Sequence, residues 1–185
     1  MGRVVMDMSI LVLDFDGVIT SLNIDWFKVL EEASMKIGFK VKSLLDFWEK
    51  YFGTREFYLV NEIVEKYEME AALKAKPFND VKIVLENFRG KIYLASMQSE
   101  KVLKLFLEKH DLEKYFKEVL GRERFSSKVE QLKYILKREE GETIVFVDDS
   151  KRNILMCQGF GVKCILIDRK KGDNLINLIN SVIGI

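Results

Sequence analysis

The sequence predicts an α/β fold: a doubly wound, mostly parallel sheet carrying a small all-α insertion. Three observations predict it. Short apolar runs end repeatedly in Asp or Ser, as at 10–14, 92–96, 143–148 and 162–168. From residue 79 onward these runs alternate with amphipathic helical patterns, and such alternation buries both faces of a parallel sheet under helices. Residues 21–77 break the alternation with helical patterns alone. The chain therefore divides into a core formed by 1–20 and 78–185 and a helical insertion at 21–77.

The elements follow in order. Ile10-Leu11-Val12-Leu13 is a continuous apolar run, as expected of a strand buried on both faces, and it ends at Asp14-Phe15-Asp16-Gly17, where glycine permits a sharp turn. In the insertion, Trp26, Val29, Leu30 and Ala33 share one helical face. Leu44, Leu45, Trp48 and Phe52 share a second, and Phe57, Val60, Ile63, Val64 and Tyr67 a third, with a separate short helix expected at Glu70–Lys74. Pro77 marks the return to the core, because the residue before a proline is pushed out of helical geometry. Helical faces then recur at Val81/Val84/Leu85/Phe88, Val102/Leu103/Phe106 and Val129/Leu132/Ile135/Leu136. Between them come strands ending at Ser96, at Gly121, at Asp148-Asp149 and at Asp168. In an open parallel sheet, ligands bind at the carboxyl ends of strands, and these polar residues are placed there.

Composition excludes several classes. With 30 Lys+Arg against 29 Asp+Glu among 185 residues there is no basic field, which argues against a nucleic-acid or membrane-surface binder. No apolar run is long enough to cross a membrane. The N-terminal stretch, interrupted by Asp7, lacks a leader pattern, and Met6 stands where acylation after Met1-Gly2 would need Ser or Thr. A cytoplasmic location is expected. Cys157 and Cys164 are too few for a disulfide framework and are expected as buried or half-buried thiols in a reducing compartment. Two cysteines and one histidine do not make a zinc site, and His110, near a helix end, reads as structural or solvated.

Four positions carry chemistry. Asp14 and Asp16, two apart at a strand end, can divide labour between nucleophile or metal ligand and proton transfer. Ser96 can donate a hydroxyl hydrogen bond to a phosphate oxygen. Lys128, opening a helix, can neutralise a phosphoryl group and neighbouring carboxylates. Asp148-Asp149 places two carboxylates side by side, a pairing that a hard cation such as magnesium relieves. Taken singly each has an ordinary reading, as an Asp-Gly turn, a strand-end serine, one lysine among many or an acidic helix start.

Together these residues resemble the haloacid dehalogenase superfamily of phosphatases and related enzymes. The first motif is matched by Asp14-Phe15-Asp16-Gly17-Val18-Ile19-Thr20, the second by Ser96, the third by Lys128 and the fourth by Asp148-Asp149-Ser150. The run Ser150-Lys151-Arg152-Asn153-Ile154 followed by Gly161 extends the fourth. The resemblance implies a Rossmann-like core with its first strand central and a helical cap at 21–77. It implies Asp14 as nucleophile forming an aspartyl-phosphate, Asp16 as general acid and then base, and Ser96 and Lys128 as phosphate-binding residues. Magnesium would be held by Asp14, the carbonyl of Asp16 and Asp149, with Asp148 auxiliary. The implied substrate is a small phosphorylated metabolite. A sugar phosphomutase and a non-catalytic binding protein keeping the fold are the alternatives. Departures from the family pattern are Val129 for a frequent proline, Met97-Gln98 where asparagine often follows the serine, and Asn153 for a frequent aspartate.

Overall fold

The computed structural model describes residues 10–183, so the N-terminal patterns read above at residues 1–7 lie outside the described residues. The sheet has five parallel strands: β1 (Ile10–Leu13), β2 (Lys91–Ala95), β3 (Glu118–Leu120), β4 (Ile144–Asp148) and β5 (Lys163–Leu166). Their order is β3-β2-β1-β4-β5, so β1 is central as expected. Its all-apolar sequence follows from that position, since strand residues alternate between two covered faces. Leu11, Leu13, Ile92, Leu94, Val145 and Val147 join one core cluster, and Ile10, Val12, Tyr93, Ala95, Ile144 and Phe146 the other.

Helices α4 (Asn79–Asn87), α5 (Glu100–Lys109) and α8 (Leu175–Ile183) pack on the first face; α6 (Lys128–Arg138) and α7 (Lys151–Cys157) pack on the second. Their buried positions are largely those of the amphipathic patterns: Val81, Val84 and Leu85; Val102, Leu103 and Phe106; Leu132 and Ile135. His110 Nε2 donates to the Ala75 carbonyl oxygen at 3.2 Å and its ring packs on Phe106, a structural role.

Between β1 and α4 lie three helices, α1 (Trp26–Ile37), α2 (Leu44–Tyr51) and α3 (Arg55–Lys74), each opened by a side-chain cap from Asp25, Ser43 or Thr54. They enclose their own core of Val29, Ala33, Phe47, Trp48, Phe57, Val60 and Val64, joined from the core domain by Met97. The two connecting strands of chain are tied together: Thr20 Oγ1 donates to the Lys76 carbonyl at 2.7 Å, and the Phe78 N–H to the Ile19 carbonyl at 2.9 Å.

Two expectations are corrected. The short helix expected at Glu70–Lys74 is the end of α3, which runs unbroken for 20 residues; no glycine or proline separates Tyr67 from Glu70, so the hydrogen-bond ladder has no reason to stop. Cys157 and Cys164 are a disulfide, not thiols. The 3-10 turn after α7 reverses the chain into β5 and brings their Cα atoms to 6.2 Å, within bridging range.

Candidate active site

The carboxyl edge of the sheet gathers the acidic residues. Asp14 continues β1, its N–H donating to the Val147 carbonyl at 3.0 Å, so it lies laterally beside the end of β4. Side-chain oxygens of Asp14, Asp148 and Asp149 approach within 4.8 Å of one another. Asp14 and Asp148 are buried and Asp149 is exposed. Into this group reaches a single buried cation. Lys128, the first residue of α6, places Nζ 2.6 Å from Asp14 Oδ1 and 3.6 Å from Asp148 Oδ2, and also donates to the Ala95 carbonyl. Asp148 is held by the Ser150 N–H at 2.8 Å and by Asn153 Nδ2 at 2.9 Å. Asn153, noted as a departure from the family pattern, thus orients a carboxylate instead of adding one.

Three carboxylates facing one ammonium leave an excess of negative charge. Burial and then the neighbouring Asp14 push Asp148 and Asp149 above the usual carboxylate range. A clustered set of oxygen donors with uncompensated charge fits a hard divalent cation, which takes oxygen ligands and relieves this repulsion. The donor chemistry therefore suits magnesium.

The turn after β1 explains its glycine. Gly17 has φ +80°, and a Cβ there would stand 2.2 Å from Asp149 Oδ2, so a side chain would meet both backbone strain and a carboxylate. The turn closes through Gly17 N–H to the Thr20 carbonyl at 2.8 Å. Asp16 stands beside the three-carboxylate group without belonging to it. Asp16 Oδ1 accepts from the Leu22 N–H at 2.8 Å, and burial, aided by the charges of Asp14 and Asp149, raises its pKa to about 6. The expected division of labour is visible in these environments: one carboxylate against an ammonium, the other inclined to hold a proton.

Ser96 ends β2, fully buried, with its N–H on the Leu120 carbonyl and its own carbonyl accepting from Gln131 Nε2. Its hydroxyl donates to Gln98 Oε1. Gln98, a departure from the family pattern in sequence, is thus the partner of the strand-end hydroxyl.

A second buried group was missed altogether. Arg122, two residues past β3, donates through Nη1 to both oxygens of Glu68 on α3, at 2.7 and 2.8 Å. Its Nε donates to Asn61 Oδ1 at 2.6 Å, Nη1 also reaches the Met97 carbonyl at 3.2 Å, and the guanidinium lies 5.0 Å from the Trp48 ring centroid. Glu68 also accepts from the Ser99 N–H at 3.1 Å, and Ser99 Oγ donates to Glu65 at 2.6 Å. Asn61, Glu65 and Glu68, spaced by four and three, form one stripe of α3 that faces the loops after β2 and β3. That spacing was the available signal; against a helix rich in charged residues it reads as a solvated face.

Comparison with known proteins agrees with this architecture. No curated protein matches the chain in sequence. Among solved structures, a hydrolase from Streptococcus pneumoniae TIGR4 superposes with a TM-score of 0.60 at 19% identity, covering 97% of this chain and 100% of the other. A protein from Clostridium acetobutylicum described as a predicted phosphatase gives 0.64 at 13%, covering 95% and 98%. The HAD-hydrolase YfnB from Bacillus subtilis, solved bound to magnesium, gives 0.60 at 14%, covering 97% and 100%. At such identities the likeness carries the fold alone. The model of the haloacid dehalogenase-like hydrolase family, however, matches residues 11–167, from the first strand through the fifth, and the chain belongs to that family.

Proposed function

We propose that the protein is a magnesium-dependent phosphatase acting on a small phosphorylated metabolite through an aspartyl-phosphate. The observation that supports it most is the juxtaposition of Asp14 with Lys128 at 2.6 Å inside a group of three carboxylates, while Asp16 nearby is raised to about 6. A carboxylate nucleophile needs its neighbour charges screened; a leaving oxygen needs a proton from a group that still holds one near neutrality.

In this reading an Asp14 carboxylate oxygen attacks phosphorus in line, forming the acyl-phosphate bond as the ester P–O bond breaks. Asp16 delivers its proton to the departing oxygen. It then takes a proton from water, whose oxygen attacks phosphorus, releasing inorganic phosphate and restoring Asp14. Lys128 holds and neutralises phosphoryl oxygens, and Ser96 donates its hydroxyl to another once Gln98 yields it. Asp14, the main-chain carbonyl of Asp16 and Asp149 would hold magnesium, with Asp148 auxiliary, and the ion would offset the negative charge brought by the phosphate. Helices α1–α3 act as the cap that excludes water during these steps.

Release of p-nitrophenol from p-nitrophenyl phosphate, with magnesium or with EDTA, tests the reading. Turnover is expected with magnesium only. Asp14→Asn is expected to lower it by roughly 10⁴-fold or more, as for loss of a nucleophile. Activity surviving in that variant removes Asp14 from the mechanism.

A further inference from the structure

Between α1, α2, α3 and the loop after Ser96 lies a cavity of about 260 Å³. Its wall is mostly apolar: Trp26 and Leu30 from α1, Leu44 and Trp48 from α2, Val64 from α3 and Met97 from the loop. It continues from the candidate active site, because Gln98, whose amide oxygen takes the Ser96 hydroxyl, lines it too. Resting on the phosphatase reading, we propose that this cavity receives the leaving group of the phosphate ester, and that this group is small, uncharged and largely apolar, of the size of a single aromatic ring or a short branched chain.

Three features of the wall select that class. The first is charge. Among the described residues the wall holds no lysine, arginine or histidine, and Arg122, which touches the wall residues Glu68, Met97 and Trp48, is neutralised by Glu68, so a second phosphate or a carboxylate on the leaving group meets no unbalanced cation there. Its one ionisable residue, Glu68, is already paired: Arg122 Nη1 donates to both its oxygens and the Ser99 N–H to one of them. Glu68 has little left to offer an incoming ammonium or hydroxyl.

The second feature is hydrogen-bonding capacity. Ser43 Oγ, also in the wall, accepts the Asp46 N–H as the cap of α2, which leaves the Gln98 amide, freed when the phosphate takes the Ser96 hydroxyl, as the main polar group open to a leaving group. The several hydroxyls of a sugar, stripped of water, would find too few partners, and unpaired buried hydroxyls oppose binding. An apolar group loses nothing by the same transfer and gains from leaving water. The third is size. A volume of about 260 Å³ lies just below the range of about 300–1,000 Å³ common for drug-sized ligands, which favours a compact leaving group.

Both tryptophans of the chain, Trp26 and Trp48, line the cavity, so occupancy can be read by intrinsic fluorescence without any turnover. Wild-type protein is titrated with 2-phenylethanol and with glycerol, the alcohols that two model esters would release. A saturable change with 2-phenylethanol and none with glycerol over the same range is expected. The control variant is Leu44→Asp, which puts a charge into the wall at the first residue of α2, where an acidic side chain suits the helix end. It should weaken 2-phenylethanol binding by roughly 10-fold or more, as loss of apolar complementarity does. Kinetics supply the second arm. With 2-phenylethyl phosphate, kcat/KM should exceed that with glycerol 3-phosphate by at least roughly 10-fold, and Leu44→Asp should erase the preference. Acetyl phosphate, with too little leaving group to fill the cavity, reports turnover by the wild-type protein independently of the cavity.

The two readings fail separately. Hydrolysis of acetyl phosphate together with glycerol binding as tightly as 2-phenylethanol, or with no 2-phenylethanol binding, overturns the cavity assignment and leaves the phosphatase standing. Alcohol binding that Leu44→Asp abolishes, without turnover of any ester, upholds the apolar cavity and overturns the phosphatase.

Discussion

Two buried cations in this molecule sit in opposite kinds of surroundings. Lys128 faces an excess of negative charge: Asp14 at 2.6 Å, Asp148 at 3.6 Å, and Asp149 in the same group. Arg122 is matched in charge one to one with Glu68, and Asn61 and the Met97 carbonyl are further acceptors, while its Nη2 has no hydrogen-bond partner among the described residues. Both residues are almost wholly buried. Burying charge is costly unless it is paired and hydrogen-bonded. The Arg122 group meets that requirement from within the protein, as a fastening between α3 and the sheet's loops should. The Lys128 group does not. Charge left over at the carboxyl edge of a parallel sheet is capacity for something brought from outside, a cation and a phosphoryl group, whereas charge brought into balance is capacity for holding still.

The largest expected effect comes from removing the outnumbered cation. Lys128→Met should lower phosphate-ester turnover by roughly 10²–10³-fold, the usual loss when one electrostatic stabiliser of a transition state is removed. It should also cost about 3–5 kcal/mol of stability, because Asp14 and Asp148 are left buried together without a counter-charge. Magnesium should return part of that stability, in proportion to how tightly it binds the folded form, without returning the activity. Thermal unfolding with and without magnesium, beside initial rates, reads all three quantities. Turnover within a few-fold of wild type would show that the lysine only balances the aspartates.

The balanced group should behave differently. Glu68→Gln and Arg122→Met should each cost about 3–5 kcal/mol, since either leaves a buried partner unpaired. The double variant should cost less than the sum by more than about 1 kcal/mol, as directly interacting residues do. Magnesium should restore no more stability to these variants than it adds to the wild type. Urea unfolding of the four proteins supplies the cycle. Strict additivity would mean that Arg122 and Glu68 do not act as a pair, and the contrast with Lys128 would lose its basis.

The same contrast explains what could be read beforehand. Asp14, Asp16, Ser96, Lys128 and Asp148-Asp149 each stand where an apolar run ends or a helix begins, so local pattern places them on one sheet edge before any partner is known. That β1 is central is what the resemblance these residues carry implies, and the structure agrees. Arg122 and Glu68 are 54 residues apart, and neither has a local signature; only the packing of α3 against the sheet makes them a pair. Cys157 and Cys164 fail for a related reason. A spacing of seven residues says nothing of whether two Cα atoms face each other across a helix end and a strand. The continuity of α3 past Tyr67 was legible and was missed, since Met69-Glu70-Ala71-Ala72-Leu73-Lys74 holds strong helix formers and no breaker.

Another buried carboxylate sharpens the comparison at smaller scale. Glu139, at the end of α6, accepts from Lys91 at 2.6 Å, from Tyr93 at 2.5 Å and from Lys117. It is buried, while both lysines are more than a third exposed. Burial alone would raise its pKa, but the hydrogen bonds from Lys117, Lys91 and Tyr93 outweigh it and hold the group at about 2, below the ordinary 4.5. Here cations outnumber the carboxylate, and the sign of the pH effect follows. The folded form binds fewer protons than the unfolded chain between about pH 4.5 and 2. Glu139 therefore contributes its full stability above pH 4.5, and that contribution is lost as pH falls toward 2. Water around the lysines screens the pair, so the contribution is on the order of 1–2 kcal/mol. Glu139→Gln should lower stability at pH 7 by that amount and converge on the wild type as the pH approaches 2. Asp16, raised to about 6, runs the other way: between pH 3.8 and 6 its folded form binds the extra proton, so its contribution weakens stability as pH rises. Urea midpoints between pH 2 and 7, with EDTA present, separate the two slopes; parallel curves for Glu139→Gln and the wild type would mean that the lysines do not hold this carboxylate down.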